Sequence, residues 1–269
     1  MPIEEAQKYT APFKYIERMV NPLRNKNREK RQKEYWWQFA RPRPAMRKAI
    51  SSLGQFVVTT RVAKHRIFAF LKKGSVPDSR LFVIAREDEY FLGVLHSRVH
   101  EAWSLATSSR HGDGSDGGRL TYNNTTCFET FSFPWPPGEE PDESADSLVA
   151  EIAQWALVQW RDVWLNPPRD GMYAGLGATY DKMLKKRTLT NLYNGLQYYR
   201  STVKSGQLFA QADFDKVTRK SVTRSDIEEL DDIHTALDHA VLDAYGWPYT
   251  LSDEQILEHL LALNLERAS

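Results

Sequence analysis

The stretch from 55 to 106 reads QFVVTTRVA (55–63), RIFAFL (66–71), RLFVIA (80–85), EYFLG (89–93) and then VLHSRVHEAWSLA (94–106). The first four pieces are short and rich in Val, Ile and Phe. Lys72-Lys73-Gly74 and Pro77-Asp78 break them, as turns break strands. In the fifth piece the period changes. Leu95, Val99, Ala102, Trp103 and Ala106 share one face of a helix. Strands followed by helices predict an α+β fold.

Working outward, Arg24, Lys26, Arg28, Lys30, Arg31 and Lys33 form a basic run ahead of Tyr35-Trp36-Trp37, and Arg41-Pro42-Arg43-Pro44 is expected to be extended. Residues 107–120, with Gly112, Gly114, Gly117 and Gly118, read as a loop, and Thr121–Phe133 as β-rich. Four prolines at 134, 136, 137 and 141 cannot sit in a helix interior or a central strand. Beyond them the periodicity is helical. Leu148 to Trp160 stop at Asn166-Pro167-Pro168, residues 181–199 follow, and Ile227 to Tyr245 end at Gly246. Ser252 with Gln255 caps a last helix. The expected organisation is a basic helical lead-in (1–44), a strand-rich module with one helix near 94–106 (45–135), a Pro-rich linker (136–142) and a helical domain (143–269) with an insertion near 196–224.

The chain has 269 residues, 41% hydrophobic and 26% charged, which excludes a mainly disordered polymer. No stretch approaches the roughly 18 apolar residues of a membrane span, and MPIEEAQKYT has no apolar leader core. Cys127 is the single cysteine, so neither an internal disulfide nor a cysteine-based metal site is possible. A cytoplasmic setting is expected. The net charge of +1 hides an asymmetry: residues 1–135 hold 23 Lys and Arg against 13 Asp and Glu, the remainder 13 against 22. A basic half suits a polyanionic partner, although uneven charge is also common in two-domain chains.

Most candidate chemistry fails on spacing. Asn166-Pro167-Pro168-Arg169 is close to the Asn/Asp-Pro-Pro-aromatic motif of adenine methyltransferases, but Arg169 replaces the ring that would stack on the base. No GxGxxG follows a strand, and no Gly-Lys-Ser/Thr exists. Glu87-x-Glu89 lacks the Glu-x-Lys step of a metal-dependent nuclease. His96 and His100 have a zinc-compatible spacing without a third ligand, so no metal is expected.

What survives is a set of cations and amides. Arg61, Lys64, His65 and Arg66 crowd a strand–turn–strand, and Arg110, His111, Arg119, Thr121, Tyr122, Asn123 and Asn124 flank the glycine loop. Arg reads guanine, Asn reads adenine and Thr reads either, so these residues suit duplex DNA. Ordinary hairpins use the same residue types.

The chain resembles the C-terminal part of fused restriction–modification adenine methyltransferases, the type IIL or MmeI-like group. The similarity is carried by Pro12-Phe13-Lys14-Tyr15-Ile16, by YWWQFARPRPAMR (35–47), VTTRVAKHR (58–66), GVLHSRVHE (93–101) and FETFSFPWP (128–136), then by LKKRTLTNLYN (184–194) and AYGWP (244–248). It implies a target recognition domain followed by a helical C-terminal domain, with no catalysis of its own. S-adenosylmethionine would belong to a partner methyltransferase domain or subunit, and the partner substrate would be double-stranded DNA. The family's reading side chains precede the Phe-Glu-Thr-Phe-like segment, which corresponds here to Arg119 and Thr121. Relatives carry Arg where this chain has Thr121. Two other readings remain at this stage: a protein-interaction subunit that docks a methyltransferase, and a divergent nuclease.

Overall fold

The computed structural model describes residues 1–111, 119–136, 138–141 and 147–268, and the chain divides into two units, Met1–Ser52 and Leu53–Ser269. The glycines at 112–118, and parts of 136–142, lie outside the described residues.

The first unit has five short helices: α1 (Ile3–Ala6), α2 (Thr10–Met19), α3 (Asn21–Asn25), α4 (Lys30–Glu34) and α5 (Pro44–Ala49). None is long enough to stand on propensity alone, so aromatic packing must hold them. Phe13 is buried, its ring 5.4 Å from Trp36, which meets Trp37 edge-on at 6.1 Å. Pro44 opens α5, where its missing N–H would have had no helical partner anyway. Arg43 before it is left-handed, with φ of 49°, rather than extended.

The second unit begins with an antiparallel sheet of β1 (Gln55–Thr60), β2 (Phe68–Lys72) and β3 (Leu81–Ile84), in the order β2-β1-β3. These match three of the expected strands. The fourth, 89–93, is helical. Asp88 accepts a hydrogen bond from the Phe91 amide at 2.8 Å and caps α6 (Glu89–His96). Short apolar runs do not reveal their period, and the cap decides this one. α7 (Arg98–Thr107) follows after Ser97, so two helices stand where one was expected. A two-stranded ribbon, β4 (Ser109–His111) with β5 (Arg119–Thr121), comes next. The β-rich expectation for 121–133 ends with it, because Asn124–Phe128 is one wide helical turn.

Beyond 147 the chain is helical. α8 (Leu148–Glu151), a π-helical stretch (Ile152–Val158) and α9 (Gln159–Leu165) form one run. It stops at Asn166, and the Tyr180 hydroxyl donates to the Pro167 carbonyl, so Asn-Pro-Pro ends a helix here. The expected helix at 181–199 is two, α10 (Ala178–Leu184) and α11 (Leu189–Thr202), because Thr188 restarts it as an N-cap. α12 (Gln211–Thr218), α13 (Arg224–Tyr245) and α14 (Asp253–Ala268) complete the unit. α13 carries both end signals: a Thr223–Asp226 capping box, and Gly246 at φ of 69°.

One core joins these elements. Val57 and Phe68 of the sheet, Leu92 and Leu95 of α6, and Leu157, Leu192 and Leu237 of the later helices all belong to it. Burying one such side chain stabilises the fold by about 1.5–3 kcal/mol. The proline segment lies against this core. The Trp135 ring is 5.7 Å from Tyr90, Arg86 pairs with Glu140 at 2.6 Å, and Arg267 donates to the Phe133 and Pro134 carbonyls at 2.7 and 2.9 Å. Among the described residues no helix is long and apolar enough to cross a membrane.

Candidate nucleic-acid interface

Two cationic segments far apart in sequence are joined by backbone pairing. Thr121 of β5 bridges to Val62 in the loop that links β1 to β2. The Tyr122 amide donates to the Arg61 carbonyl at 2.8 Å, and the Ala63 amide to the Leu120 carbonyl at 3.4 Å. The loop thus lies beside β5 as a short third strand. Arg61, Lys64, Arg110, Arg119 and Asn124 are exposed around this junction.

Ribbon register assigns the faces. Arg110 pairs with Leu120, whereas Arg119 pairs with His111 and Thr121 with Ser109. Directly paired residues project to the same side and side chains alternate along a strand. Arg110 therefore faces one side of the ribbon, and Arg119 and Thr121 face the other. The His111 side chain lies outside the described residues.

Several expected contacts are committed to the fold. Tyr122 is a correction: it is 1% exposed, and its hydroxyl donates to His100 Nε2 at 3.0 Å. His100 Nδ1–H donates to the Leu95 carbonyl at 2.9 Å, so Nε2 is free to accept. Arg66 is half-buried over the Tyr122 ring at 4.7 Å, and its Nη1 donates to the Thr60 carbonyl at 2.5 Å. Asn123 Nδ2 donates to Ser109 Oγ and Asn124 Nδ2 to Glu129 Oε1, each at 3.0 Å. Thr121 Oγ1 is buried with no partner among the described residues. Arg61 packs its guanidinium over the Phe82 ring at 4.6 Å while staying exposed.

Behind the loop lies a cleft of about 480 Å³ whose lining includes Lys64, Arg66, Arg98, Glu101, Arg200 and Asp238. His96, Tyr193 and His234 line it too, and all three are buried. Burial first, and then the cations Arg200 and Arg161, hold His234 down to about 3. Burial pushes the Asp238 carboxyl up to about 7, against the Arg98 amide that donates to it at 2.7 Å. No group of three or more His, Cys, Asp or Glu able to hold a metal occurs among the described residues.

The family model of the MmeI target recognition domain matches residues 3–136, a span that contains the sheet, the ribbon and the loop beside it. Residues 3–136 belong to that family. A solved structure of the type IIL restriction-modification enzyme MmeI in complex with DNA is similar at 16% identity and a TM-score of 0.46, over 80% of this chain and 22% of that one. No curated protein matches the chain. Every site residue expected from sequence falls inside the target recognition domain. Sequence reasoning missed Asn194 and Arg161, which lie outside it and touch it from the helical part. Neither stands out as a site in the sequence, because their partners inside the matched span are 65 to 130 positions away.

Proposed function

We propose that this chain recognises a specific sequence in double-stranded DNA on behalf of a DNA adenine methyltransferase of the restriction–modification type. In this reading it has no chemistry of its own, and the partner domain or subunit supplies S-adenosylmethionine and base flipping. The observation that carries it is the match of residues 3–136 to a target recognition domain, with the cationic loop and ribbon paired within that span. The exposed cations of the junction would grip phosphates, and the ribbon would reach base edges in the major groove.

The test is a selection of duplexes from a random pool by the full chain, alone and with a separate methyltransferase, followed by a salt titration. A selected motif with a steep salt dependence supports the reading. Methyl transfer or cleavage by the pure chain, or binding that ignores both sequence and salt, overturns it.

A further inference from the structure

We propose that Asn194 is a positioning residue that holds the cationic β1–β2 loop in its DNA-binding geometry. The inference rests on the DNA-recognition reading and extends it to a residue beyond the family match. Asn194 lies on α11, and its Oδ1 accepts from Lys64 Nζ and from His65 Nε2, both at 2.8 Å. Its Nδ2 donates to the Val217 carbonyl at 3.2 Å.

The three contacts fix one another. An ammonium can only donate, so the Asn194 atom facing Lys64 must be the oxygen. That oxygen can only accept, so His65 must carry its proton on Nε2. A carbonyl can only accept, so the amide nitrogen must face Val217. Burial keeps the half-buried His65 below its ordinary range, despite the bond to Asn194, and the charge next to it is Lys64. At neutral pH the loop therefore presents one ammonium beside a neutral ring.

Lys64 keeps two of its three N–H groups for a ligand, because Asn194 uses one. The arrangement removes much of the ammonium's rotamer freedom before DNA arrives, and less freedom is then lost on binding. It adds a side-chain clamp at Lys64 and His65 to the backbone pairing that holds Arg61, Val62 and Ala63 against β5. The clamp comes from the helical part, so the recognition surface is completed by residues outside the matched domain.

A double-mutant cycle on the full chain tests the role, with a mixed-sequence duplex as the probe. Asn194→Ala should weaken binding roughly two- to tenfold, the scale of immobilising one long side chain. It should leave the salt slope unchanged, since no cation is lost. Lys64→Ala should lower that slope by about one. In the Lys64→Ala background, Asn194→Ala should have little further effect. Additive losses, or a lower salt slope in Asn194→Ala, would overturn the proposal. Nitrogen-15 spectra of the histidine rings give a second readout that needs no DNA. Asn194→Ala should shift His65 away from the Nε2–H tautomer. An unchanged ring refutes the clamp whatever the binding data say. A wild-type chain that shows the ring signature but never binds duplex brings down the functional reading, and the DNA role of Asn194 with it.

Discussion

Arg161 Nη1 lies 2.8 Å from His96 Nε2, and between them the two side chains close the buried edge of the sheet. β2 is an edge strand. The Phe68 amide donates to His96 Nε2 at 3.0 Å, and Arg161 Nη2 donates to the Phe68 carbonyl at 3.1 Å. His96 Nε2 is also 2.9 Å from that carbonyl. The nitrogen is nonetheless the unprotonated one, because two obligate donors converge on it. An edge strand normally needs another strand, or water, for these groups. Here two helices, α6 through His96 and α9 through Arg161, supply them. Arg161 is 4% exposed and meets only neutral acceptors among the described residues.

Arg161→Met should therefore destabilise the chain, because the buried Phe68 carbonyl loses its donor. Each acceptor left alone costs about 1–3 kcal/mol, and removal of a desolvated cation offsets part of that. Urea unfolding of wild type and variant measures the difference. A variant as stable as wild type would show that the edge does not need the guanidinium.

Stability should fall as the solution is acidified below pH 6.5. Burial holds His100 and His234 down to about 3 and His96 well below 6.5, where Arg161 adds to the effect. These rings are neutral when folded and take up protons only on unfolding, so their contribution is complete above 6.5 and lost toward 3. Asp238 runs the other way. Pushed up to about 7 from 3.8, it holds a proton in the folded state that the unfolded chain releases between those values. Burial raises the Glu101 carboxyl as well, but the three rings outnumber these two acids, so unfolding takes up protons on balance between pH 4 and 6. Each net proton is worth about 1.4 kcal/mol per pH unit. Unfolding free energies at pH 7, 6 and 5 check it, and a flat profile would contradict the burial of these rings.

Gly93 sits inside α6, where Ala would ordinarily be the better helix former. Here a Cβ would lie 2.8 Å from Val149 Cγ1 and 3.1 Å from the Val149 carbonyl oxygen, where α6 packs on α8. The backbone contact cannot turn away. Gly93→Ala should destabilise by about 1–3 kcal/mol. Gly195→Ala should be milder, because its closest neighbours are the side-chain ends of Ile227 and Thr218 at 3.0 Å. Melting curves of the two variants would rank them, and the reverse order would mean that α8 moves aside more easily than Ile227.

Much of the framework could be read from the chain itself. The strands at 55–60, 68–72 and 81–84 alternate or run apolar between turn residues, and α13 and α14 carry caps at Thr223, Gly246 and Ser252. The miss at 89–93 arose because Tyr90, Phe91 and Leu92 are all buried, which hides the helical period. At the candidate interface, the residue types singled out two segments that the fold brings together. Their exposure could not be read. Tyr122 and Arg66 look like nucleic-acid contacts in sequence, yet the Tyr122 ring is buried and the half-buried Arg66 guanidinium stacks on it. The contacts of Asn194 and Arg161 come from tertiary packing, which no local pattern encodes.

If the chain recognises DNA as proposed, the ribbon should separate reader from anchor. Arg119 and Thr121 share one face and Arg110 takes the other, so one face should carry sequence preference. Arg119→Ala should relax the preference at one base pair, at a cost of about 1–3 kcal/mol on the preferred site. Arg61→Ala removes an exposed cation stacked on Phe82 and should weaken all sequences alike, lowering the salt slope by about one. Arg110→Ala should change affinity without changing the preferred base that Arg119 reads. Selection from a random duplex pool with each variant, with the methyltransferase present where the chain alone binds weakly, distinguishes these effects. If Arg61→Ala shifts the preferred base while Arg119→Ala lowers affinity uniformly, the assignments are reversed. If Arg110→Ala and Arg119→Ala relax the same base pair, both faces converge on one step of the groove, and the single reading face is wrong.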